Sequence, residues 1–115
     1  MKVNTVPNFD RLEGMMSSGD FVISFCQKVI YLLEEFERKY VAAIEDSKED
    51  HLNEITHKIQ STMKMLGLED FYFFTKSYEK MDFRDKLAKV ELVEKTLSYV
   101  STIKQSMMEK QESVG

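Results

Sequence analysis

The chain has 115 residues, with 16 Lys and Arg against 20 Asp and Glu, for a formal net charge of −4. That length sets a single domain as the expectation, spanning 1–115 with its core over about 8–110. The acidic balance excludes nucleic acid as the expected partner, and the lone Cys26 excludes an intramolecular disulfide and a cysteine zinc cluster.

The chain contains one Pro and four Gly, a scarcity of breakers that favours long helices. Met1–Val6 lacks the charged and apolar regions of a secretion signal. Asn8, behind Pro7, can cap a short helix over Phe9–Met15. A long amphipathic helix is predicted from Asp20 to Glu45, with Phe21, Val22, Phe25, Cys26, Val29, Leu32, Leu33, Phe36, Tyr40, Val41 and Ile44 recurring in steps of three and four. Its most apolar part, Phe21–Leu33, is interrupted by Ser24, Gln27 and Lys28 and is too short to span a bilayer. No membrane is expected, and a reducing cytoplasm fits a Cys26 that reads as a small buried hydrophobe.

Ser47 and Asp50 approximate a capping box for the next helix, which Gly67 ends in the position where a left-handed residue is cheapest. Glu69–Met81 is predicted as a shorter helix with Phe71, Phe74, Tyr78 and Met81 inward. In the run Phe71-Tyr-Phe-Phe74 the two phenylalanines read as core, leaving Tyr72 or Phe73 partly exposed. Asp82 or Asp85 can cap the last helix. That helix reaches about Glu109 on a stripe of Leu87, Val90, Val93, Leu97, Val100, Ile103 and Met107, and Gln111–Gly115 is expected to fray. These elements predict an all-α fold, an antiparallel up-down four-helix bundle with a short extra N-terminal helix.

The second long segment, Asp50–Gly67, carries its apolar stripe on Leu52, Ile55, Ile59, Met63 and Leu66. At about 100° per residue, His57 falls roughly 160° from the centre of that stripe. It therefore points at water, with Asn53, Gln60, Ser61 and Lys64 around it. An imidazole held outward on a rigid helix is free to accept and release a group. His51, near the helix start, reads as a boundary residue without a role. Glu54-x-x-His57 has the form of half a carboxylate-bridged di-metal site, but two histidines and outward-facing side chains do not supply the other half. No metal is expected.

From the histidine the chain reads His57-Lys-Ile-Gln60-Ser61-Thr-Met-Lys64-Met-Leu66-Gly67. This resembles the histidine-containing phosphotransfer (HPt) domains, which carry His-x-x-Lys-Gly-x-x-x-x-Leu-Gly on the second long helix of a four-helix bundle. The likeness extends over nearly the whole chain in helix order, in the long helix before the motif and in the terminal Leu-Gly. It implies that His57 is a phospho-acceptor exchanging its phosphoryl group with an aspartate on a receiver domain. Leu66 and Gly67 would then pack and terminate the helix. It also implies response-regulator receiver domains and a hybrid sensor kinase as partners, with Mg on the receiver and no cofactor on this chain.

Two positions depart from the pattern. Gln60 stands where the family has Lys, so a hydrogen bond to the phosphoryl group would lack charge assistance. Ser61 stands where the family has Gly, keeping a small side chain that could itself donate. Lys64, two helical turns beyond His57, could soften the missing charge. Met15, Met16, Phe21 and Met65 are candidates for an apolar docking patch.

A neutral imidazole nitrogen can attack phosphorus, and the rest of the reaction is positioning and charge neutralisation. No glycine-rich nucleotide loop is present, so the expectation is a monomeric cytoplasmic phosphorelay carrier without kinase activity of its own. The alternatives are a module of the same fold that binds receivers without phosphotransfer, and a generic helical adaptor.

Overall fold

A computed structural model describes residues 3–10, 14, 19–77 and 82–114. Four helices follow in order: α1 (Gly19–Glu45), α2 (Glu49–Met65), α3 (Glu69–Ser77) and α4 (Lys86–Val114). They form an up-down bundle in which α1 packs along α2 and α4, and α3 packs on α2. Lys104 Nζ on α4 lies 3.7 Å from Glu37 Oε2 on α1. Further down, Gln111 Nε2 donates to the Ile23 carbonyl at 3.1 Å and to Gln27 Oε1 at 3.2 Å. The rising residue numbers of α4 thus meet the falling numbers of α1, which makes the pair antiparallel.

One core runs through all four helices. Val22, Cys26, Val29, Ile30, Leu33, Phe36, Tyr40, Ala43 and Ile44 line it from α1, and Leu52, Ile59, Met63 and Leu66 from α2 and its end. Each large side chain fully removed from water contributes about 1.5–3 kcal/mol. Aromatic rings tie the layers together. Phe36 stacks on Tyr40 at 5.0 Å and meets Phe71 edge-on at 5.7 Å, while Tyr99 takes Phe74 edge-on at 5.0 Å.

Both turns that frame α2 have the same form. After α1, Ser47 adopts φ 55°, and Lys48 N donates to the Ala43 carbonyl at 2.9 Å and Ser47 N to that of Ile44 at 3.2 Å. After α2, Gly67 adopts φ 70°, with Leu68 N on the Met63 carbonyl at 2.7 Å and Gly67 N on that of Lys64 at 3.2 Å. Each is a Schellman turn, which satisfies helix carbonyls otherwise left without donors.

Gly67 ends α2 as expected. Ser47 does not start it, because its backbone is committed to closing α1. The helix opens behind Lys48 without a side-chain cap, so the capping box is not formed.

Several expectations need correction. Phe21, placed in the α1 stripe, is exposed. On α4, Leu87, Val90 and Leu97 are also exposed, at 69%, 53% and 37%. The buried seam is instead Leu92, Thr96, Val100, Ile103 and Met107. The α4 sequence offers two apolar lines, and the one meeting the ring-filled interior passes through a small Thr rather than a Leu. Gln111 does not fray, because its side chain is tied to α1, and the helix runs on to Val114. Asp85 caps this helix, its Oδ1 accepting from Ala88 N at 3.1 Å.

Near the N-terminus, Asn8 Oδ1 accepts from Asp10 N at 3.1 Å and Phe9 and Asp10 are helical. Most of the expected helix beyond them lies outside the described residues, as do Tyr78 and Met81. Residues 3–8 form a strap across the turn after α2. Asn8 N donates to the Leu66 carbonyl at 2.7 Å, and Asn4 Nδ2 to that of Gly67 at 3.3 Å.

Candidate functional site

Helix α2 buries Leu52, Thr56, Ile59, Met63 and the adjoining Leu66 and leaves His57, Gln60, Ser61 and Lys64 exposed. His57 points about 140° away from the centre of the buried set, and the other three fall within about 60° of it at 100° per residue. The structure therefore gathers all four on one outward face. None of the four makes a side-chain hydrogen bond or ion pair with another described residue. The ring of His57 is consequently open to a second molecule. Side chains on a helix lean toward its N-terminus. The imidazole accordingly leans over Asn53 and Glu54, both exposed, while Gln60, Ser61 and Lys64 lean toward the imidazole.

The two flanks of α2 differ. His51, Glu54, Ile55 and Lys58 line a groove of about 400 Å³ shared with Lys39, Ala42 and Ala43 of α1. The groove opens because small Ala42 and Ala43 face Ile55, a signal present in the sequence but not used there. Lys39 Nζ at its rim donates to Glu35 Oε1 at 2.7 Å, and that bond holds the Glu35 carboxyl below its usual range. Gln60 and His57 lie on the other flank, toward α3.

The register across the Gly67 turn sets what α3 brings to that flank. With Met65 and Glu69 at the two ends of the turn, Ser61 is level with Phe73 and His57 with Ser77. Phe73 is exposed and points away from the core. It is an exposed aromatic on the outer surface that continues from the histidine face.

The proposed docking residues are placed differently. Met65 is half-buried in the last turn of α2, about 12 Å along the helix from His57 at 1.5 Å per residue. Phe21 is exposed but not beside the histidine. His57 is level with residue 37 of α1, so Phe21 lies about 24 Å further along the bundle. Met15 and Met16 are outside the described residues.

Among the described residues no helix is long and apolar enough to cross a membrane. No family model matches the chain, and neither a curated protein nor a solved structure matches it. The four-helix bundle agrees with the fold that the HPt resemblance implies, but it is an architecture that hosts many functions.

Proposed function

We propose that the chain is a phosphorelay carrier of two-component signalling, in which His57 takes a phosphoryl group from one receiver-domain aspartate and returns it to another. One observation carries this reading. His57 stands outward near the middle of a helix whose opposite face is fully packed, with no side-chain hydrogen bond to a described residue to break before it reacts. Phosphoryl transfer demands a positioned nucleophile and neutralised charge more than covalent machinery, so an open imidazole on a rigid support is the one part this chain must contribute. Gln60 and Ser61 are neutral donors beside it, and Phe73 extends the surface that a receiver would cover.

The test is incubation with a phosphorylated receiver domain. Acid-labile label should appear on wild-type protein and not on His57→Gln. Absence of label with every receiver of the source genome would sink the proposal.

A second reading is a helical binding module without phosphotransfer. It needs only the bundle and a binding surface, which the fold and the exposed Phe73, Leu87 and Val90 support directly. The neutral Gln60 also favours it. In that case His57→Gln should bind partners as wild type does and leave the cellular phenotype intact.

A further inference from the structure

We infer that Lys76, on the neighbouring helix α3, supplies the positive charge for a phosphoryl group on His57, the charge that Gln60 does not provide. This inference rests on the phosphocarrier reading above.

Two features of the bundle place Lys76 at the site. The first is register. Counting back along α2 from Met65 and forward along α3 from Glu69, Lys76 stands level with the turn of α2 that holds His57 and Lys58. The second is the flank of α3 that it occupies. Phe71 and Phe74 meet Tyr99 of α4, so that side of α3 faces α4. Tyr72 and Lys76 lie on the opposite side, toward α2. Lys76 Nζ already lies on that side, 5.6 Å from the centre of the Tyr72 ring and 3.2 Å from its hydroxyl.

Packed helix axes are about 8–10 Å apart, within the combined reach of a lysine and a phosphorylated imidazole that face the same cleft. Tyr72 is buried, so it forms a fixed rest from which the flexible ammonium can swing. Lys76 is exposed and makes no ion pair with a described residue.

Gln60 sits on the same flank, between the levels of Phe73 and Lys76. A lysine there would put a second ammonium beside the first. With Gln60 neutral, Lys76 of α3 is, among the described residues, the cation level with His57 on this flank. The other candidates are worse placed. Lys58 lines the groove on the α1 side, and Lys64 starts about 10 Å along the helix from His57.

The step needs no group that the chain lacks. Phosphoramidate transfers its phosphoryl group to a neutral ring nitrogen of His57. The new phosphorus–nitrogen bond forms as the old one breaks, and the leaving nitrogen departs as ammonia. Lys76 touches only the phosphoryl oxygens and exchanges no proton.

The test uses the full chain and phosphoramidate, with no receiver present. Phospho-His57 is followed by ³¹P NMR, for amount formed and for half-life after the reagent is removed. Lys76→Gln should shorten the half-life or lower the steady label by about two- to fivefold at low salt, with the difference shrinking as salt screens the pair. Lys76→Arg should restore it, and Lys64→Gln should change it less. Thermal unfolding of each variant separates this effect from loss of the Tyr72 contact. An unchanged half-life together with an unchanged amount of label in a folded Lys76→Gln protein overturns the inference and leaves the carrier reading standing. Failure of His57 to take label in any folded variant overturns both.

Discussion

Tyr40 crosses the bundle to reach Thr75. Its hydroxyl donates to the Thr75 carbonyl at 2.9 Å, and both residues are fully buried. The bond links α1 to the last turn of α3, two helices on opposite corners of the bundle. That short helix carries Phe73 and Lys76, so the bond fixes the part of the molecule that completes the histidine face. Tyr40→Phe should lose about 1–3 kcal/mol, the cost of leaving a buried carbonyl without its donor. Urea unfolding should show a lower midpoint with an unchanged slope.

The Thr56 and Thr96 hydroxyls are buried without a hydrogen-bond partner among the described residues. Both side chains are enclosed in the core. The shape of Thr is required and its hydroxyl is not. Thr96→Val should therefore stabilise the protein by about 1 kcal/mol, since the burial cost of an unsatisfied hydroxyl disappears. A destabilised variant would show that the hydroxyl has a hidden partner.

His57 and Ile59, two residues apart, should respond in opposite ways. His57→Ala should change the unfolding free energy by no more than about 0.5 kcal/mol, as for an exposed side chain. Ile59, fully buried, should lose about 2–5 kcal/mol on truncation to Ala. The pair is read from chemical denaturation of the purified variants.

This contrast was legible in the sequence because α2 has one apolar stripe and nothing competes with it. On α4 the same reasoning failed. Leu87, Val90 and Leu97 form a second apolar line at helical spacing, and periodicity cannot choose between two such lines. The buried line passes through Thr96, a polar residue that an apolar pattern does not mark as core. Lys76 was invisible for a different reason. Its relation to His57 depends on the register between two helices, which the Gly67 turn sets and no local pattern reveals. Ser47 looked like the start of α2 because its type suits a cap, whereas its backbone closes α1.

Gly67 holds φ 70° in the turn between the site helix and α3. Gly67→Ala should cost about 1–2 kcal/mol, the penalty of a left-handed backbone for a residue with a Cβ. The new carbon would also lie 3.4 Å from Cβ of Asn8 in the strap, an ordinary contact, so the loss should come from the backbone. Thermal melting against wild type measures it.

Cys26 is fully enclosed, and burial pushes its thiol above the ordinary value of 9.0, with Lys110 drawing it partly back. The unfolded thiol therefore ionises first as pH rises. The associated stability is complete below about pH 9 and is lost progressively as pH climbs from there toward the raised folded value. Denaturation midpoints from pH 8 to 10 should fall less steeply in Cys26→Ala than in wild type. Alkylating reagents should label Cys26 only after urea is added.

Gly19 and Val114 meet at one pole of the molecule, close enough that a Cβ on the glycine would stand 2.8 Å from the valine Cγ1. A segment fused behind α4 therefore leaves from that pole. A tag or a tether added behind α4 stands about 27 Å along α1 from the level of His57 at 1.5 Å per residue, so protein immobilised through that end should present its histidine to solution.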